Sequence, residues 1–267
     1  MIGVFGGSGF YSFLDDVEEV ALDTPWGPPS AALTVGEVGG TTVAFLPRHG
    51  RRHELPPAQV PYRANLWAMR ELGVTRVFGP CAAGSLQRHI DRGHVVVCDQ
   101  LVDRTWGRVD TFFDRFDDGP VHVSFADAYC DELRAVAIDA ARRSGATVHE
   151  RGTVVVIPGP RFSTRAESAT YRAMGFDVIN MTQHPEAYLA RELGLCYATL
   201  AMVTDHDSGV EGVEAVTMEE VFRVFDENLA RLRTILHDAL AATPLDRACA
   251  CADATGGKVP TLPASKG

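Results

Sequence analysis

The chain has 267 residues, with 25 basic against 35 acidic side chains, a formal net charge of −10, and 46% apolar and 22% charged residues. That composition excludes disorder of the whole chain and argues against a nucleic-acid or anionic-membrane partner, either of which needs a basic footprint. A small anionic substrate held by a local arginine stays open, and the length suits one large α/β domain.

Residues 2–5 form a short apolar run ending in Gly6-Gly7-Ser8-Gly9, which reads as a buried first strand and a glycine loop. Residues 31–38 and 42–47 are β-rich, and Gly39-Gly40 between them marks a hairpin. Helical spacing of Leu66, Met69 and Leu72 predicts a helix over 62–72, stopped by Gly73. A strand is expected over 74–78, a small-residue turn over 79–85, and a core strand over 95–98. Residues 127–144 read as an amphipathic helix with Asp at its start and Gly145 at its end. Then come a β-branched strand (153–157), a helix (163–174), a short strand (177–180), a helix (185–193) closed by Gly194, and an apolar strand (195–203). A last helix over 217–241 carries acidic residues in its first turn. Strands alternating with helices predict an α/β fold with a mixed, largely parallel sheet. No internal repeat or linker divides it, so one domain is expected over 1–242, followed by a flexible tail over 243–267.

No apolar run reaches the ~20 residues that span a bilayer. The first residues lack the basic stretch of a signal peptide, so a cytoplasmic location is expected. There the six cysteines (Cys81, Cys98, Cys130, Cys196, Cys249 and Cys251) are expected to stay reduced. Their spacing gives no zinc pattern, since Cys249-Ala250-Cys251 is closer than the usual structural pair.

Six stretches could carry chemistry. Gly6-Gly7-Ser8-Gly9 offers backbone N–H groups and a hydroxyl to an anion, or is simply a tight turn; it is neither a dinucleotide fingerprint nor a Walker loop. Residues 47–53 place five basic side chains in seven after an apolar strand, fit for clamping phosphate or for a solvated turn. Pro80-Cys81-Ala82-Ala83-Gly84-Ser85 allows close backbone approach to a ligand, with Cys81 read as a small pocket residue rather than a nucleophile. In Gly159-Pro160-Arg161-Phe162-Ser163, Phe162 could stack on a flat ring, and in Asn180-Met181-Thr182, Met181 could line an apolar pocket; core packing is the bland reading of both. Thr204-Asp205-His206-Asp207 puts two carboxylates at a strand end, for general acid chemistry, a metal, or a capped turn.

In this order the set resembles the trimeric purine nucleoside phosphorylase family, most of all its 5′-methylthioadenosine-cleaving branch, from residue 2 to about 240. The resemblance implies a single-domain, three-layer α/β phosphorylase-type fold with a mixed, partly parallel central sheet. It implies phosphorolysis of S-methyl-5′-thioadenosine to adenine and 5-methylthioribose 1-phosphate, with no cofactor and no metal, inorganic phosphate being the co-substrate. Ser8, Arg48, His49, Ala82 and Thr182 would bind phosphate, and Phe162, Met181, Asp205 and Asp207 the nucleoside. Asp205 would be the catalytic acid at the purine N7. Ser163, Met218, Val221 and Phe222, with His122 from an adjacent chain, would set substrate specificity, which implies a homotrimer with active sites near subunit borders. Cys81 stands where better-known members have Thr, a weaker donor near the phosphate. Cys249-Ala250-Cys251 resembles a C-terminal Cys-x-Cys of some archaeal relatives. Three other readings stay open. One is a phosphorylase of inosine, guanosine or methylthioinosine, against which the two aspartates speak, since a carboxylate acceptor suits a 6-amino group. Another is a nucleoside-sensing module without catalysis. The third is a metal-dependent hydrolase built on Asp205, His206 and Asp207, disfavoured because neighbours on an extended strand face opposite ways.

Overall fold

The first strand, β1 (Ile2–Gly6), is buried along its whole length, as expected of a central strand in a parallel sheet covered on both faces. The computed structural model describes residues 1–6, 15–117, 119–208 and 216–262. β1 pairs in parallel with β4 (Thr41–Pro47) on one side and β5 (Arg76–Phe78) on the other. β3 (Leu33–Val38) closes the expected hairpin onto β4, and β2 (Asp15–Val20) lies antiparallel at the edge. With β12 (Cys196–Ala198) beside β5, the first sheet has the order β12-β5-β1-β4-β3-β2.

Alternation along these strands sorts the core into two layers. Ile2, Val4, Val43 and Phe45 pack with Leu133 and Ala137 of α2 (Asp131–Arg143) and Leu232, Ile235 and Leu236 of α5 (Met218–Ala242). Phe5, Ala44 and Leu46 face the other way, onto Leu66 and Met69 of α1 (Tyr62–Glu71) and Leu189 of α4 (Gln183–Glu192). In α5 the buried residues Leu232, Ile235, Leu236, Ala239 and Leu240 follow the 3–4 spacing of one helical face. α3 (Arg165–Ala173) starts with a capping box between Thr164 and Glu167, which fixes where the chain after Ser163 turns into the helix.

A second sheet has the order β8-β10-β11-β6-β13-β7-β9, built from β6 (Cys81–Ser85), β7 (Val95–Val96), β8 (Gln100–Asp103), β9 (Val148–His149), β10 (Thr153–Val156), β11 (Val178–Asn180) and β13 (Ala201–His206). The expected mixed, partly parallel sheet is present, divided into two hydrogen-bonded sheets that are joined by two strand paths. The pairing of β5 with β12 continues through Gly79 N–H to Ala198 O at 2.8 Å and Cys81 N–H to Leu200 O at 3.1 Å into the pairing of β6 with β13.

Several expectations are corrected here. Residues 79–85 were expected as a turn, yet 81–85 form β6: cross-strand pairing on both sides overrides the weak strand preference of Ala and Gly. The strand expected over 195–203 is broken at 199–200, where the path passes between sheets. β2, β8 and β9 were not anticipated, and α2 starts at Asp131 rather than 127 because Cys130 is its N-cap. The stretch expected as a flexible tail is tied down over its described part. Arg76, fully buried, donates to Asp246 O at 2.5 Å, Arg247 donates to Gly194 O at 2.7 Å, and the Ala248 amide donates to Glu132 Oε1 at 2.8 Å. Cys251 is 4% exposed.

Candidate active site

The site residues gather where β4, β6 and β13 end and the chain enters α4. On one side lies Arg48, just after β4 and 5% exposed. Its fork donates to both oxygens of Glu186, each at 2.7 Å, and to Pro80 O at 3.2 Å. Burial works against the guanidinium charge, but the Glu186 carboxylate more than compensates and holds Arg48 above its ordinary pKa. Tyr197 Oη also donates to Glu186, at 2.6 Å. Gly79 makes room for this trio: a Cβ there would lie 1.9 Å from Tyr197 Oη and 3.0 Å from Glu186 Oε2. Arg48 keeps N–H groups beyond these bonds, so it remains able to bind an anion, but its charge is already matched.

His49 follows. Its Nδ1 lies 2.8 Å from Leu55 O and its ring stacks on His53 at 4.4 Å. Burial, then the Arg48 charge, lower its pKa to about 4. A carbonyl only accepts, so the neutral ring carries its proton on Nδ1 and offers Nε2 as an acceptor. Cys81 opens β6 with its thiol 3.3 Å from Asn180 Nδ2 and 3.7 Å from Thr199 Oγ1, and burial pushes its pKa up. It is a neutral thiol turned toward Asn180 and Thr199, not an activated nucleophile. Ala82 is half-buried beside it, and Thr182 is buried ahead of α4 with its hydroxyl not used as a cap.

On the other side lie Asp205 and Asp207, 4% and 3% exposed. Partners along β6 and β13 stay in step through Val203↔Ala83 and then jump to Asp205↔Gly84, so Thr204 is one residue too many. The bulge sets Asp205, rather than Thr204, opposite Gly84. Thr204 Oγ1 donates to Asp205 Oδ2 at 2.7 Å, and Gly84 clears the other oxygen: a Cβ there would sit 2.9 Å from Oδ1. Burial, reinforced by the nearby Asp207 and Glu220 charges, raises Asp205 to about 6 against the Thr204 hydrogen bond. Burial also raises Asp207, which faces Ser168, the Ser208 amide and Ser163. Among the described residues Asp207 Oδ2 and Ser163 Oγ are buried without a hydrogen-bond partner. His206, between the two aspartates, turns away to Asp91 Oδ1 at 3.1 Å, which removes the geometry of a shared Asp-His-Asp metal site.

Met181 is half-buried and packs against Leu86, Val155, Ile157 and Ile179, and Phe162 is half-buried beside Ser163. Met218 and Phe222 at the start of α5 are 59% and 49% exposed, and Val221 is half-buried. This end of α5 is near the aspartates, since Glu220 acts on Asp205 and pairs with Arg92 at 2.8 Å. His122 is exposed and meets Phe116 edge-on at 5.8 Å, and no bond or ring contact joins it to another site residue among the described residues. Ser8 and its glycine loop lie outside the described residues. Sequence reasoning missed Glu186, Tyr197 and Ser168. A fully buried Glu is costly unless paired, but the run Gln183-His184-Pro185-Glu186 gives no local sign of that burial.

The "Phosphorylase superfamily" model matches residues 1–241. A protein of Streptomyces coelicolor named purine nucleoside phosphorylase is 56% identical over 98% of this chain and 96% of its own. One of Mycolicibacterium smegmatis named S-methyl-5′-thioadenosine phosphorylase is 52% identical, covering 97% and 98%. A solved mutant adenosine/methylthioadenosine phosphorylase of Schistosoma mansoni, in complex with methylthioadenosine, superposes with a TM-score of 0.88 at 37% identity over 96% of this chain and 95% of that one. On a match that runs from the first strand to the last helix, the chain belongs to the phosphorylase superfamily.

Proposed function

We propose that the protein is a pentosyltransferase that cleaves S-methyl-5′-thioadenosine with inorganic phosphate, releasing adenine and 5-methylthioribose 1-phosphate. The observation that carries the substrate is the buried Oδ2 of Asp207, two residues after Asp205, which has no hydrogen-bond partner among the described residues. A carboxylate oxygen only accepts, which suits the N–H of a 6-amino purine and not a 6-oxo group. Names of relatives support the same substrate.

In this reading a phosphate oxygen attacks the anomeric carbon while the bond to the purine nitrogen breaks and its electron pair passes to the base. Arg48, His49, Thr182, the backbone at Ala82, and Ser8 hold the phosphate on one face of the ribose. Neutral His49 accepts a proton shared with the phosphate. Asp205, whose raised pKa keeps a protonated fraction near neutrality, donates its proton to N7 as negative charge develops on the base. Phe162 and Met181 cover the purine and ribose, and Ser163, which faces Asp207, helps set specificity. Met218, Val221 and Phe222, with His122 of a neighbouring copy, form the apolar wall around the methylthio group, so the working unit is a homotrimer. No metal or cofactor takes part in the chemistry. Among the described residues no helix is long and apolar enough to cross a membrane, and a cytoplasmic setting fits the substrate.

A second reading, a phosphorylase of inosine or guanosine, is favoured by the name of the Streptomyces coelicolor relative. One assay separates them: purine release from methylthioadenosine, adenosine and inosine, each with and without phosphate. Phosphate-dependent adenine, fastest from methylthioadenosine, is expected. Faster hypoxanthine release from inosine would overturn the substrate, and release without phosphate would overturn the reaction.

A further inference from the structure

Cys130, Cys196, Cys249 and Cys251 are far apart in sequence, but their four sulfur atoms all lie within 4.8 Å of one another. Cys130 is the N-cap of α2, Cys196 opens β12, and Cys249 and Cys251 flank the start of a short 3₁₀ turn (Ala250–Asp253) in the C-terminal segment. We propose that these four cysteines bind one structural zinc ion as a tetrathiolate.

Four observations carry this. The first is mutual proximity. A tetrahedral zinc with sulfur bonds of about 2.3 Å sets its four sulfurs about 3.8 Å apart, within the observed spacing. A disulfide needs only two sulfurs close, whereas here every pair is close, Cys196 and Cys249 at 3.3 Å. The second is burial: Cys130, Cys196 and Cys251 are buried and Cys249 half-buried, so the site is closed, as a structural zinc site is. The third is the electrostatic setting. Cys130 is the N-cap of α2, so the positive end of the helix dipole favours a thiolate there. The fourth is the chain's path. Arg76, Arg247 and the Ala248 amide all fasten the segment that delivers Cys249 and Cys251, so the ligand pair arrives preorganised. Spacing alone misses this site because the close Cys-x-Cys supplies only half the ligands and the other half come from a helix start and a strand. Among the four-coordinate thiolate metals, zinc is favoured over iron(II) by affinity and is not redox-active. Binding releases one proton from each thiol, and the ion welds the C-terminal segment to α2 and β12.

The test is the metal content of the full-length protein, purified under reducing conditions without added chelator, by inductively coupled plasma mass spectrometry. About one zinc per chain is expected. Native mass spectrometry should show the zinc adduct, and the denatured mass should show six free thiols. In the double variant C249S/C251S the zinc should be lost and the melting temperature should fall by several degrees, with methylthioadenosine turnover at 25 °C within twofold of the parent. A strong chelator should lower the melting temperature of the parent and not of the variant. Metal-free parent protein with six free thiols, a mass reduced by two hydrogens per disulfide among these cysteines, or stoichiometric iron would each overturn the proposal. The parent's metal content decides even if the variant does not fold, and since these thiols are not among the phosphate- or nucleoside-binding residues, the result is independent of the substrate assay.

Discussion

The two sides of the site treat buried charge in opposite ways. On the proposed phosphate side, Arg48 is matched within the fold by the two oxygens of Glu186, which Tyr197 also supports. On the proposed purine side, Asp205 and Asp207 are just as buried, yet among the described residues no cation is bonded to either, and their protons are held more tightly instead. The first arrangement makes a charge permanent and keeps it available. The second suits a carboxyl to the proposed proton donation, because a buried acid without a counter-ion gives up its proton only at higher pH.

The contrast can be broken by exchanging one feature at a time. The largest effect is expected from Asp205→Asn, which keeps the shape and removes the proton donor: kcat/KM for methylthioadenosine should fall by about 10²–10⁴-fold, while thermal stability at pH 7.5 should not fall. Unchanged turnover would end the acid assignment. Next comes Glu186→Gln, which leaves Arg48 buried without its counter-charge. A loss of about 3–5 kcal/mol in denaturant unfolding is expected, with weaker phosphate saturation. A loss below about 1 kcal/mol would mean that the phosphate side is not balanced internally. Asp207→Asn gives the purine side an amide that can donate as well as accept, so the ratio of methylthioadenosine to inosine turnover should drop at least about tenfold. An unaltered ratio would remove Asp207 from substrate choice. The smallest effect is on stability against pH. With the Asp205 carboxyl raised from 3.8 to about 6, the folded protein binds more protons than the unfolded chain in that window, so unfolding free energy should decline as pH rises through it. Comparing the parent with Asp205→Asn isolates this slope, and identical slopes would show that burial does not shift the group.

The legible parts of the molecule were those coded locally. The buried run of β1, the hairpin of β3 and β4, and the stripe of α5 are periodic within a few residues, and each forms where periodicity places it. Asp205 and Asp207 stood out for the same reason, two carboxylates next to an apolar run. What could not be read depends on partners far along the chain. Ala82, Ala83 and Gly84 form a strand because β11 and β13 flank them, Glu186 is tolerated because Arg48 meets it, and the bulge at Thr204 exists only relative to β6. The four cysteines are the extreme case, since their common location comes from the path of the tail, which composition alone marked as loose.

The strand paths that link the sheets also constrain how the molecule is made. Arg76 pairs with Cys196 and Ala83 with Val203, partners 120 positions apart, so bringing them together closes a loop whose entropy cost is roughly 4 kcal/mol before any contact repays it. β1, β4 and β5 lie within the first 78 residues and can pair while the rest is still being synthesised. The floor that carries Asp205 must wait until β13 has left the ribosome, which makes the Asp205 half of the pocket a late product of folding and leaves a truncated nascent chain holding Arg48 alone.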